Sequence, residues 1–317
     1  MRLRFIVATA LVTVASATTL PAQGKWAAPR TADGHPDLQG VWNFSTITPL
    51  ERPAEFADKA FLTEAEAKAL EARTVERSNR DNRDRNNPEA DVASAYNEFW
   101  WDRGVHAARV RGKVQTSLIV EPADGKLPPL TADGQKRAEQ RAEARRQHPA
   151  DGPEDRSLGE RCLLFNAGPP MLSGPYNNFV QLLQTRDHVV IFNEMVHQAR
   201  LVPLDGRPHL PAGVRNWQGD PRGRWEGDTL VVESTNFSDR TNVRGSGEGL
   251  RLTERFTRTG ANSLLYEFTV DDPASFTKPW TAALPMARTT DQIYEYACHE
   301  GNYAMSGILR GARSAEK

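Results

Sequence analysis

The chain has 317 residues, with 40 Lys and Arg against 41 Asp and Glu and a formal charge of −1. So even a balance excludes attachment to nucleic acid or to an anionic membrane through net positive charge. The length suits one large domain, or a domain with a substantial N-terminal extension.

The first residues read as a secretory signal peptide, residues 1–22. Arg2 and Arg4 precede an apolar run from Phe5 to Ala17, which ends with Ala15 and Ala17 at A-x-A spacing. That run, about 13 residues, is shorter than the roughly 20 that a bilayer-spanning helix needs, and no cysteine follows it to take a lipid. The expectation is an exported protein, periplasmic or secreted, without membrane insertion. Cleavage after Ala17 and after Ala22 fit equally well. Removal of 1–22 takes away two arginines and no acid, which moves the charge to about −3.

Residues 23–154 read as a first strand followed by a helical and loop-rich extension. In "DLQGVWNFS" (37–45), Gly40 stands two residues before Trp42. Thr63 and Glu66 have capping-box spacing, which predicts a helix over 64–77. "RSNRDNRDRNNPEAD" is nearly free of apolar residues and reads as a solvated loop. "NEFWWDRG" and the strand-like "VQTSLIVEP" follow, then a charged surface helix over 133–147 that the Pro and Gly of "HPADGP" stop.

Residues 155–317 read as an antiparallel β domain. Segments rich in Val, Ile, Phe, Tyr and Thr lie at 179–185, 188–194, 198–204, 229–235, 250–258, 263–271, 280–286 and 292–298. "WEGDT" and "RTGANS" read as hairpin loops. Short connections without alternating helices predict a mainly β fold, an antiparallel meander closed or nearly closed as a barrel, with a sandwich as the alternative.

The Gly40-x-Trp42 pattern resembles the first strand of lipocalin-like (calycin) barrels, where the tryptophan plugs one end. More widely, "GHPDLQGVW" at the start, "VPLDGRPHLP", "GRWEGDTLVVES", "LLYEFTVDDPASFTKPW" and the final "EYACHEGNY" resemble a family of exported bacterial proteins of unassigned function. The resemblance implies export and implies no chemistry, so the functional reading rests on residue types and spacing.

Cys162 and Cys298 are an even pair in an exported chain, which predicts a disulfide. His299 and Glu300 follow Cys298 at a predicted strand end, beside Tyr296 and Asn302, and would serve as general base and acid. A second pair, His197 and Glu194, falls at a hairpin turn near 195–197, with Arg200 on the returning strand to hold an anionic or carbonyl oxygen. Glu-x-x-His brings both side chains together on a helix but not on a strand, so no metal site is predicted from Glu194 and His197. Asp205 and His209 read as turn residues.

Strand alternation points Glu254 the same way as Leu250, Leu252 and Phe256, puts Glu233 with Val231, and puts Glu295 with Ile293. Carboxylates on apolar faces need partners or raised pKa values, which predicts a polar-lined cavity with arginine partners. In "GPPMLSGPYNNFVQ", Tyr176, Asn177 and Asn178 would meet a ligand or cap a turn. There is no nucleophile elbow, P-loop or dinucleotide fingerprint, so no cofactor is expected.

These residues predict a small-molecule-binding barrel, with cofactor-independent acid-base chemistry of lyase, isomerase or hydrolase type. The competing readings are a non-catalytic ligand carrier or structural subunit, and a metal-dependent hydrolase.

Overall fold

The computed structural model describes residues 26–83, 86–93, 97–165, 168–241 and 243–316. The signal peptide expected at 1–22 lies outside the described residues.

Local signals place the N-terminal elements. Strand β1 (Gly40–Asn43) carries Trp42, and β2 (Phe61–Leu62) leads into helix α1 (Glu64–Ser78). Thr63 Oγ1 accepts from Glu66 N while Glu66 Oε2 accepts from Thr63 N, so the capping box forms as its spacing predicts. The charged stretch after α1 carries a short helix, α2 (Pro88–Ala93), where the sequence reads only as loop. Strands β3 (Arg109–Val110), β4 (Lys113–Gln115) and β5 (Ile119–Glu121) come next. Helix α3 (Ala132–Gln147) starts at Thr131, whose hydroxyl accepts from Gly134 N at 3.0 Å. It docks so closely that a Cβ on Gly134 would lie 2.5 Å from Ser275 O.

The expected β region supplies β6 (Phe179–Gln184), β7 (His188–Asn193), β8 (Gln198–Pro203), β9 (Asp220–Glu226), β10 (Thr229–Thr235), β11 (Arg251–Gly260), β12 (Ser263–Asp271) and β13 (Trp280–Thr289). "WEGDT" joins β9 to β10 with Gly227 at φ +60°, and "RTGANS" joins β11 to β12, both as predicted. A chain end absent from the sequence reading is helix α4 (Tyr303–Ala315), whose Gly307 and Gly311 depress intrinsic helix propensity.

The fold is mainly β. The large sheet runs β8-β7-β6-β1-β13-β12-β11-β10-β9 with every ladder antiparallel, and β5 pairs with β13. The first strand thus lies between β6 and the last strand, β13. Among the described residues no ladder joins the edge strands β8 and β9. Their side chains nevertheless meet: a Cβ on Gly223 of β9 would stand 2.8 Å from Val202 Cγ1 of β8 and 3.5 Å from Pro203 O.

Period-two alternation gathers one face of all these strands into a continuous apolar cluster that includes Trp42, Val180, Ile191, Val232, Phe256 and Leu284. Each large side chain so enclosed stabilises the fold by roughly 1.5–3 kcal/mol. Trp42 Nε1 donates to Leu38 O at 2.9 Å, and the Arg258 guanidinium lies over its ring at 5.8 Å. Outside the large sheet, β2, β4 and β3 form a small one, which packs Val110 on Leu265 of β12 and Ala283 of β13.

The strand expected at 292–298 does not form. Both sides of β13 are already taken, by β1 and β12, so the segment after Thr289 has no open ladder beside its predecessor. It crosses instead to Cys298, which forms the expected disulfide with Cys162, Cα to Cα 5.7 Å. No helix among the described residues is long and apolar enough to cross a membrane.

Candidate functional site

The turn from β7 to β8 places Glu194. Val196 and His197 take φ of +60° and +52° in succession, a left-handed pair that is costly for a β-branched residue. The Glu194 side chain is turned away from water, at 5% residue exposure. Its Oε1 accepts from Tyr294 N at 3.2 Å, and the Asn177 side chain bonds to the same carboxylate. Burial still outweighs these bonds and raises the Glu194 pKa above the ordinary range.

Asp102 is brought to the same neighbourhood by Asn178, which is fully buried. The Asn178 amide donates to Asp102 O and to Gly174 O, and its Oδ1 accepts from Gly174 N at 2.7 Å. Asp102 N donates to Pro175 O at 2.8 Å, so the 174–178 turn and Asp102 are locked together. The Asp102 carboxyl is pushed up to about 6, first by burial, then by the negative charges of Glu194 and Asp291. Rings flank the carboxyls. Trp101 meets Tyr176 edge-on at 6.3 Å, and Tyr176 stacks on Tyr296 at 6.4 Å. Arg80 and Arg103 lie over the Trp101 ring at 4.9 and 4.6 Å.

Burial, and for Asp102 also the charge of Glu194, keeps both carboxyls protonated to a higher pH than usual, so that either can donate a proton when protonated and accept one when ionised. The sequence singles out Glu194, Tyr176 and Tyr296 but assigns them to three separate clusters, pairing Glu194 with His197 and Tyr296 with His299 and Glu300. It gives no role to Asp102, Trp101 or Asp291. "NEFWWDRG" was the available signal, an acid embedded in aromatic residues without strand or helix periodicity.

The other predicted residues fall elsewhere. His197 is exposed, with its ring edge-on to Phe192 at 4.6 Å, and its main-chain N donates to Glu194 O at 3.0 Å. His299 and Glu300 are exposed in the turn before α4. Asn302 caps that helix by accepting from Met305 N at 3.3 Å, and its amide donates to Glu160 O at 2.7 Å. "CHEGN" therefore holds a disulfide anchor and a helix start, where the sequence predicts a strand end.

Glu295 is exposed, not buried with Ile293, because alternation has no meaning where no strand forms. Glu233 does share a face with Val231, but on the side away from the core, where Arg251 bonds it at 2.8 Å and His209 stands 3.6 Å off. His209 also meets Asp220 at 3.1 Å, an outer-surface cluster. Glu254 is buried as expected, with Arg200 as its arginine partner. Tyr266 donates to Glu254 Oε1 at 2.7 Å and accepts from Met171 N at 3.1 Å. This network occupies the apolar core, so Arg200 and Glu254 hold the fold together where the sequence reading gave them to a ligand.

A cleft of about 1120 Å³ borders the same loop at Gly168–Ser173, with Asp102 and Glu194 outside its lining. Among the described residues no three His, Cys, Asp or Glu side chains are grouped to hold a metal ion. A comparison with models of protein families finds no match to this chain, and a comparison with curated proteins finds none.

Proposed function

We propose that the protein is an exported, nearly closed β-barrel that takes a small organic molecule beside Asp102 and Glu194 and acts on it by cofactor-independent acid-base chemistry. The observation that carries this reading is that neighbouring residues of one turn hold both acids, Asn178 through the main chain of Asp102 and Asn177 through the carboxylate of Glu194, with Tyr176 stacked on Tyr296. Elimination, hydration or isomerisation needs one proton delivered and one removed, and two carboxyls whose pKa values are both raised, Asp102 to about 6, supply an acid and a base. The 174–178 turn fixes the Asp102 main chain and, through Asn177, the Glu194 carboxylate before substrate arrives, which lowers the cost of orientation.

The barrel reading is supported by the strand order, by the approach of β8 to β9 and by the burial of Trp42 on the first strand. Export is supported by the disulfide, since such bonds persist in oxidising compartments. Membership of the exported bacterial family that the motifs resemble belongs to the same proposal.

The test is a thermal-shift screen of the protein against sugars, aromatics and carboxylates, with Asp102→Asn and Glu194→Gln beside the wild type. A compound that stabilises the wild type but neither variant, followed by its turnover, carries the reading. Variants that fold and respond as the wild type does to every stabilising compound defeat it.

A further inference from the structure

The cleft beside Gly168–Ser173 has a chemistry of its own. Six arginines line it, Arg141, Arg145, Arg156, Arg161, Arg240 and Arg244, against four carboxylates, Glu154, Asp155, Glu160 and Asp239. Only Arg156 is matched to one of these acids, Glu160, with the pair and the cap from Ser157 holding Glu160 below the usual carboxylate range. Arg141 bonds the carbonyls of Ser246 and Asp239 rather than a carboxylate. Arg145, Arg161, Arg240 and Arg244 form no ion pair among the described residues, although Arg161 lies over the Trp217 ring at 5.8 Å.

The cations are also crowded. Arg137, Arg141 and Arg145 follow at four-residue spacing along α3, so their charges repel on one helix face. Burial, then the neighbouring charges of Arg137 and Arg145, lower the Arg141 pKa from its ordinary value. An anion in the cleft would relieve that repulsion.

The lining also carries an apolar part, Leu158, Leu164, Phe165, Leu172 and Val243, beside the polar His148, Ser157, Ser173 and Thr241. Behind it, the Asn193 amide is buried with neither its Oδ1 nor its Nδ2 bonded. Gly168 of the cleft wall lies against this amide, since a Cβ on it would stand 3.1 Å from Asn193 Nδ2. The volume, about 1120 Å³, is that of a site for a ligand of drug-like size.

We infer that this cleft is a binding site for an organic anion, a molecule with an apolar body and a carboxylate or sulfonate group that the unpaired arginines receive. The inference is independent of the acid-base reading at Asp102 and Glu194, whose residues lie outside the cleft.

A matched pair of fluorescent probes tests it, anilinonaphthalene sulfonate and the uncharged phenylnaphthylamine, titrated into the folded protein. The sulfonate is expected to bind at one site, to weaken with added salt, and to bind about tenfold tighter than the uncharged probe. Arg145→Glu and Arg240→Glu, both at exposed positions, are each expected to weaken the sulfonate about tenfold, with Arg145→Lys near the wild type and thermal unfolding unchanged. Asp102→Asn is expected to leave the affinity as it was. Equal binding of the two probes, indifference to both charge reversals, or loss of the sulfonate in Asp102→Asn would each overturn the inference.

Discussion

Arg200 on β8 and Glu254 on β11 form a two-pronged ion pair, Nη1 to Oε2 at 2.6 Å and Nη2 to Oε1 at 2.9 Å, with both side chains withdrawn from water. Strands β7, β6, β1, β13 and β12 separate the two in the hydrogen-bonded order, so the pair spans the curled face of the sheet. Glu254 raises the Arg200 pKa despite burial, which acts the other way. Removing one partner leaves an uncompensated charge inside. Glu254→Gln is expected to cost about 3–5 kcal/mol in urea unfolding, and the apolar double replacement Arg200→Met with Glu254→Leu less than that. A double variant weaker than Glu254→Gln would show that the pair contributes more than its desolvation removes.

The meeting of the two sheet edges depends on Gly223. A Cβ there would lie 2.6 Å from Leu204 Cδ2 and 2.8 Å from Val202 Cγ1, inside any permitted contact. Gly223→Val should therefore push β8 from β9 and cost about 1–3 kcal/mol. Hydrogen exchange should quicken in β8 and β9 first, while β12, held by ladders on both sides, stays protected. Uniform loss of protection would mean that the edges do not open separately.

How legible this was in the sequence depended on whether a residue's role was local. Thr63 with Glu66 is a contact between near neighbours, and the capping box reads directly from spacing. Glu254 was legible too, because β11 is regular and alternation assigns its face without knowing the partner. Ile293 to Cys298 alternates equally well, yet the ladder it would need is occupied by strands distant in sequence. Asp102 fails for the same reason. Its place is set by main-chain bonds to Asn178 and Pro175, and its raised pKa owes part to the charge of Glu194, none of which sequence spacing connects to it.

The raised pKa of Asp102 has a definite sign in stability. With a folded value of about 6 against 3.8, the native state binds more protons than the unfolded chain between those limits. The contribution is fully present below pH 3.8 and is lost as pH rises through about 6. Asp102→Asn should flatten that part of the profile in urea unfolding from pH 4 to 7 by comparison with the wild type. A variant profile parallel to the wild type across the interval would assign the slope to other groups. Glu194→Gln should lower the Asp102 midpoint, read by carboxyl NMR, since one of the two charges that raise it is removed.

The disulfide reaches the carboxyl pair as well as the fold. Cys162 and Cys298 are 136 residues apart, and closing such a loop stabilises by roughly 5 kcal/mol in the chain-entropy account. Locally, Cys298 ends the stretch whose Tyr294 N donates to Glu194, and that bond works against the upward push of burial. A Cys162→Ser, Cys298→Ser variant removes the covalent anchor of the stretch, leaving β13 at one end and the Asn302 to Glu160 bond at the other. Glu194 should then titrate higher than in the wild type by carboxyl NMR, because burial by β7 and the 174–178 turn persists while the Tyr294 donor is lost. If Glu194 titrates where it did, the segment is held by its own packing, through Tyr296 on Tyr176. The bond between the cysteines would then stabilise the chain without shaping the site.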